Sequence, residues 1–208
     1  KISKEVKTFY EENPYPRWRF GSNFSSQTTY NSQLINNEIR PNSISQNIDN
    51  NKLKILIAGC GTGQHILHTQ TYKNAQITGI DLSLSSLSYA QRKINELDIT
   101  NVDLIQMDLL EVSLLKDKFD IIQCSGVLVC IEDPFKGLRA LLSSLKNGGF
   151  LKLGLYSELA RQDVVQAREY LERKRIKFNM TNMRLFREKV ISGDFPDLIP
   201  LTNTNDFY

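Results

Sequence analysis

The chain has 208 residues, 40% apolar and 24% charged, with 26 basic against 23 acidic side chains for a formal charge of +3. That length supports one sizeable core and would cramp two full domains, and so even a charge balance calls for no nucleic-acid partner. No apolar run approaches the roughly 18 residues of a membrane span, the polar start Lys1-Ile2-Ser3-Lys4-Glu5 is no signal-peptide core, and three scattered cysteines, Cys60, Cys124 and Cys130, make neither a disulfide framework nor a zinc site.

In chain order, Ile2, Val6, Phe9 and Tyr10 have helical spacing over residues 2 to 12. Asn13-Pro14-Tyr15-Pro16 then excludes helix, because each proline sets extended backbone around itself. Residues 21 to 51 are polar, with Asn, Ser and Gln at 17 of 31 positions, and can supply little core. Leu34, Ile35 and Ile39 suit one short helix before Pro41. From residue 54 the pattern changes. Apolar runs at 54–58, 77–81, 102–107, 119–124 and 149–155 read as five strands, with helical patterns at about 64–72, 83–97 and 134–146 between them. Such alternation predicts a Rossmann-like α/β fold with a doubly wound, mostly parallel sheet. Lys146-Asn147-Gly148-Gly149 reads as a helix stop and turn. A polar helix is expected from Ser157 to about Lys177, burying Leu159, Val164, Val165, Ala167, Tyr170 and Leu171, and a short one at 182–192.

The chemistry sits in Ala58-Gly59-Cys60-Gly61-Thr62-Gly63-Gln64-His65, which leaves the first strand and opens a helix. Glycines there allow a sharp turn and close approach of a ligand, and the helix start offers unpaired N–H groups. Asp81-Leu82-Ser83 ends the second strand, 18 residues after Gly63, where a carboxylate can accept from ribose hydroxyls. Met107-Asp108-Leu109 ends the third.

This G-x-G-x-G loop, with Asp81 and Asp108 after it, resembles motif I and its partners in the class I S-adenosylmethionine-dependent methyltransferases. The resemblance runs over about residues 52 to 157 and includes Ser125-Gly126-Val127-Leu128 after the fourth strand. It implies S-adenosyl-L-methionine as cofactor, held by Gly59, Cys60, Gly61, Thr62, Gly63, Gln64, His65, Asp81, Leu82, Asp108, Leu109 and Ser125. In that family Asp108 would accept from the adenine amino group and the Leu109 N–H would reach an adenine ring nitrogen. The family usually places an acid two residues before the first glycine, and this chain has Ile57.

A narrower resemblance rests on Asn13-Pro14-Tyr15-Pro16-Arg17-Trp18, Gly126-Val127-Leu128 and Leu155-Tyr156-Ser157-Glu158-Leu159-Ala160-Arg161. It points to a bacterial subgroup that includes enzymes fused to TPR repeats and lysine methyltransferases of outer-membrane proteins. That subgroup implies a protein lysine as acceptor, with a small molecule as the rival. Its two histidines after Gly-Val-Leu are replaced here by Val129 and Cys130, so no histidine step carries over.

Tyr15, Arg17 and Trp18 are the candidate substrate wall, and Tyr15, Trp18 and Tyr156 the candidate catalytic side chains. Trp18, the single tryptophan, could equally anchor the N-terminal arm. His65 and His68 share a helix face but lack a third ligand, so no metal is expected. Cys124 and Cys130 read as packing residues. The basic stretch 161–189 reads as a solvated helix with pairs such as Glu169–Arg173, the other reading being an acidic partner or RNA. Two other classes stay open: an NAD-binding oxidoreductase, opposed by Gln64 and Asp108, and a non-catalytic binding domain, which Ile57 and the missing histidines allow. A cytoplasmic setting follows from the cysteine usage.

Three regions are expected: 1–51 as a helix, PYPRW segment and polar linker covering the site, 52–157 as the cofactor-binding core, and 158–208 as C-terminal helices. The start at Lys rather than Met and the lack of a final strand pair suggest a piece of a longer protein, with further domains or an oligomer.

Overall fold

The computed structural model describes residues 2–16, 18–19, 30–44, 48 and 52–203. Five strands form one all-parallel sheet: β1 (Leu53–Ala58), β2 (Ala75–Asp81), β3 (Val102–Gln106), β4 (Phe119–Ser125) and β5 (Leu145–Gly154). Their order is β3-β2-β1-β4-β5. The connections therefore run outward from β1 one way through β2 and β3, then restart on its other side at β4. Ligands bind at that reversal, beyond the carboxyl ends of the strands.

β1 shows why the apolar runs become strands. Side chains alternate between faces, and both faces are covered. Ile55 and Ile57 join one core with Ile66, Ile77, Leu87 and Ile94. Leu56 and Ala58 join the other with Ile80, Ile122 and Leu141. Each isoleucine or leucine so buried contributes about 1.5–3 kcal/mol, and an apolar run buried on both sides has no better use than a central parallel strand.

The first face is covered by α2 (Asn31–Glu38), α3 (Gln64–Thr69) and α4 (Leu84–Glu96). The second is covered by a 3-10 segment, Leu109–Leu115, and by α5 (Pro134–Ser144). The caps are local. Asp133 accepts from the Phe135 and Lys136 N–H groups and Pro134 follows it, the usual way to open a helix. Ser83 caps α4 by accepting from the Ser86 N–H.

Two expectations need correction. The 146–149 stretch belongs to β5 rather than to a turn before it. Leu145 already pairs with Phe119, yet Phe150 is the partner of Ile121, so β5 advances five residues while β4 advances two. The excess bulges out around Gly148 at φ +75°, and Lys146 ties it back with its Nζ 2.8 Å from both Asp120 carboxylate oxygens. Leu159, expected to be buried, is 84% exposed, because it lies in a separate 3-10 turn (Leu159–Arg161) ahead of the helix.

The chain divides into two compact units, Lys1–Leu155 and Tyr156–Tyr208. The first also contains α1 (Ile2–Glu12). The second holds α6 (Gln162–Arg173), α7 (Met180–Ile191) and a 3-10 segment, Pro196–Asn203. Its own core is Ala167, Val190, Leu198 and Leu201, with Tyr170, Phe186 and Phe195 in mutual ring contact. Arg173 lies over the Tyr170 ring, 5.9 Å from its centroid, and not against Glu169 as the i,i+4 spacing suggested. No strand follows Gly154 among the described residues.

Candidate active site

Parallel register brings the functional segments to one edge. Ala58 aligns with Ile80 and with Cys124, Asp81 with Gln106, and Ser125 with Gly154. The glycine loop, Asp81, Asp108 and Ser125 therefore all leave the sheet at its carboxyl edge.

The loop needs its glycines for three separate contacts. Gly59, Gly61 and Gly63 have φ of +74°, +51° and +92°, the left-handed region that favours glycine. A Cβ on Gly59 would lie 2.2 Å from Val127 Cγ2, and one on Gly61 would lie 2.4 Å from the Tyr15 carbonyl oxygen. At Gly63 the neighbour is Ala90 of α4, 3.0 Å away. The Gly59 and Cys60 N–H groups donate to the Ile80 carbonyl at 2.8 and 3.0 Å, which fixes the loop to β2.

Asp81 organises the site. Its Oδ2 accepts from the Gly61 N–H at 2.8 Å and its Oδ1 from the Ser83 N–H at 2.9 Å. Burial raises its pKa above the usual aspartate range, and these backbone donors oppose the rise. Each carboxylate oxygen retains a second lone pair, so a diol can still be bound. Asp108 caps the Leu109–Leu115 segment by accepting from the Leu110 N–H at 2.9 Å. The Leu109 N–H stands in the first turn, where helical donors lack an intrahelical partner. Leu82 contributes its carbonyl to Gln106 Nε2 at 3.0 Å.

The N-terminal arm closes on this loop. The Thr62 N–H donates to the Tyr15 carbonyl at 3.2 Å, and Thr62 Oγ1 donates to the Pro16 carbonyl at 2.6 Å. Trp18 Nε1 donates to the Thr62 carbonyl and hydroxyl oxygens at 3.2 and 3.1 Å. The Trp18 ring meets Tyr89 edge to face, 5.9 Å between centroids, and the Tyr89 hydroxyl donates to the Trp18 carbonyl. On the other flank Ser83 Oγ donates to the Tyr10 carbonyl at 3.0 Å, and the Glu11 carboxylate accepts from the Leu84 and Ser85 N–H groups. Those donors hold the Glu11 pKa below the usual range.

Of the residues anticipated from sequence, the structure brings Tyr15 and Trp18 to the loop and places Trp18 as an anchor. Arg17 lies outside the described residues. Tyr156 begins the second unit, its ring 3.7 Å from the Arg161 guanidinium carbon. Thr62 is 1% exposed, and its hydroxyl is committed to the arm. Gln64 is exposed at the start of α3, and His65 behind it is half-buried. Burial lowers the His65 pKa, helped by His68 and Lys152. Cys60 is buried in the loop and Cys124 under it, and burial pushes the Cys124 thiol up to about 12, so neither is a ready nucleophile. Among the described residues no group of three His, Cys, Asp or Glu side chains is placed to hold a metal ion. Glu11, Tyr10 and Tyr89 were not foreseen at the site, and Val127, part of the Gly126-Val127-Leu128 motif, proves to pack against Gly59. Ser83, a capping-type residue just ahead of an apolar-periodic run, was the one local signal of that flank.

A family model for a methyltransferase domain matches residues 49–194. The chain belongs to the methyltransferase domain family. An uncharacterized protein of Synechococcus sp. is 30% identical over 186 residues, covering 81% of this chain and 40% of that protein. The ubiquinone biosynthesis O-methyltransferase of Stutzerimonas stutzeri is 29% identical over 113 residues, covering 54% of this chain and 48% of the enzyme. The chain thus spans less than half the length of these curated relatives. Among solved structures, PKMT2 from Rickettsia typhi in complex with AdoHcy superimposes with a TM-score of 0.53 at 24% identity, over 67% of this chain and 28% of that one.

The cofactor of this family is S-adenosylmethionine, and the site fits it. The loop has no Cβ on Gly59, Gly61 or Gly63, Asp81 keeps acceptor lone pairs that a ribose diol would use, and Asp108 with the Leu109 N–H lies beyond β3, where the two would hold an adenine base. No helix of the described residues is long and apolar enough to cross a membrane.

Proposed function

We propose that this domain transfers a methyl group from S-adenosylmethionine to the side-chain amine of a protein lysine. The observation that carries the reading is Asp81, fixed between the Gly61 and Ser83 N–H groups at the carboxyl end of β2, with Tyr15 and Trp18 brought to the same loop.

When bound, the cofactor supplies a methyl group on a sulfonium, whose departure as a neutral thioether needs no acid. The protein's task is then alignment, exclusion of water and management of one proton. A lysine amine has an ordinary pKa of about 10.4 and must lose its proton before it has a lone pair to offer. Apolar and aromatic surroundings favour the neutral amine. Tyr15, 42% exposed beside Gly61, is the side chain we assign to that wall, together with Arg17, with Trp18 holding the wall in place. The PYPRW resemblance and the fold shared with PKMT2 support a lysine acceptor. Residues 1–51 would form the cover, 52–157 the cofactor core and 158–208 an appended helical region.

The similarity to the ubiquinone biosynthesis O-methyltransferases favours a second reading, a small-molecule acceptor methylated on oxygen. Incubation with methyl-labelled cofactor and a cell extract separates the two. Label that stays in the protein fraction and is released by acid hydrolysis as methyllysine supports the first reading. Label recovered only in the small-molecule fraction overturns it in favour of the second. Failure to bind S-adenosylhomocysteine at all overturns both.

A further inference from the structure

Asp81 is gripped by two backbone segments, the loop at Gly61 and the turn at Ser83. The N-terminal arm grips the same two segments from outside. Tyr15, Pro16 and Trp18 converge on Thr62, the neighbour of Gly61. Tyr10 and Glu11 hold Ser83, Leu84 and Ser85. Gly61 leaves only the room that the Tyr15 carbonyl occupies. The arm and the carboxylate therefore share one mechanical frame.

We propose that Thr62 is a positioning residue that latches the arm to the cofactor loop, so that arm docking and cofactor binding strengthen each other. Thr62 need not touch the cofactor to do this. Its buried hydroxyl is used twice by the arm, once as donor and once as acceptor, and its own N–H is used a third time. With the arm docked, Gly61 and Ser83 are held where their N–H groups orient Asp81. With the arm released, those donors and the carboxylate must be ordered at the moment of binding. Coupling of this kind is reciprocal, since the factor by which docking tightens cofactor binding is the factor by which the cofactor tightens docking.

The inference rests on the methyltransferase reading, and its test keeps the two apart. Trp18 is the one tryptophan of the 208 residues, so its emission and its quenching by acrylamide report the arm directly. In the full chain, S-adenosylhomocysteine titrated by calorimetry should bind, and saturation should protect Trp18 from the quencher. Thr62→Val should expose Trp18 and weaken S-adenosylhomocysteine binding about 5- to 10-fold, the lower part of the range for coupled sites. Thr62→Ser, which keeps the hydroxyl, should restore both. If Thr62→Val fails to fold by circular dichroism, Glu11→Gln, which loosens the other flank, should produce the same paired effect. A variant that frees Trp18 but binds S-adenosylhomocysteine as tightly as the parent overturns the coupling. A Thr62→Val chain in which Trp18 stays protected overturns the latch. A parent chain that binds no S-adenosylhomocysteine overturns the methyltransferase reading and the coupling with it, and leaves the quenching result to judge the latch.

Discussion

Trp18 and Thr62, 44 positions apart in the chain, are joined twice: one indole N–H reaches both the carbonyl and the hydroxyl oxygen of the same threonine. The ring is simultaneously edge-on to Tyr89 and within 5.6 Å of the Lys93 ammonium, so the indole is held by polar and aromatic contacts together. Trp18→Phe keeps a ring against Tyr89 and deletes the N–H. It should cost about 1 kcal/mol, the net worth of a partly buried hydrogen bond. Trp18→Ala should cost more, because the edge-to-face pair contributes a further 0.5–1.5 kcal/mol or so. Urea denaturation followed by circular dichroism measures both. Equal losses in the two variants would mean that the hydrogen bond alone matters.

The Asp81 carboxylate gives the site a pH dependence with a definite sign. Burial raises its pKa in the folded protein. Between the ordinary aspartate range and that raised value, the native state keeps a proton that the unfolded chain has released. Its contribution to stability therefore falls as pH rises through that window. Ribose hydroxyls need the ionised form as acceptor, so S-adenosylhomocysteine affinity should rise through the same window. Calorimetry at a series of pH values from the ordinary aspartate range upward should show this. Asp81→Asn should bind at least about 10-fold more weakly, since one backbone donor then faces an amide nitrogen, and its Asp81-linked pH dependence should vanish. An unchanged profile in Asp81→Asn would assign the titration to another group.

Glu11 acts in the opposite direction. Its carboxylate caps the first turn of α4, and the Ser85 and Leu84 N–H groups lower its pKa. A lowered carboxylate pKa stabilises the docked arm above the ordinary glutamate range, and that support is lost as pH falls through the lowered value. Trp18 should therefore become more accessible to acrylamide on acidification. Glu11→Gln should already be partly open at neutral pH and show a flatter acid response. A parent chain whose Trp18 stays equally protected down to global unfolding would show that the cap does not hold the arm.

What was legible in the sequence followed the reach of the interactions. β1, β2 and β4 are short apolar runs buried on both faces, β3 is a half-buried run at the edge of the sheet, and each carries its signal within about six residues. The loop was legible because Gly59, Gly61 and Gly63 each occupy positive φ, a local demand. The first four residues of β5 were hidden because Lys146, Asn147, Gly148 and Gly149 spell a turn, and only the pairing of Leu145 with Phe119 makes them a bulged strand. Leu159 misled because helical spacing does not reveal where a helix starts. The arm's grip on Ser83 and Thr62 was invisible for a plainer reason: it joins positions 73 and 46 residues apart, and nothing in Tyr10, Glu11 or Pro16 by itself announces those partners.

Gly61 and Gly193 offer a matched pair that separates backbone strain from collision. Both sit at positive φ, +51° and +86°, where an alanine costs roughly 1–2 kcal/mol. Around Gly193 a Cβ would meet nothing within 4 Å, whereas at Gly61 it would lie 2.4 Å from the Tyr15 carbonyl oxygen. A backbone oxygen cannot swing aside as a flexible side chain can, so the arm itself must move. Gly193→Ala should thus show the conformational cost alone, with Trp18 quenching and S-adenosylhomocysteine affinity as in the parent. Gly61→Ala should carry the same cost and also release Trp18 to acrylamide, with weaker S-adenosylhomocysteine binding, because Gly61 donates to Asp81 from the residue the arm would have to leave. Measuring quenching and affinity in both variants makes the comparison. A Gly61→Ala chain with Trp18 still protected would mean that the loop, not the arm, yields to the new methyl group.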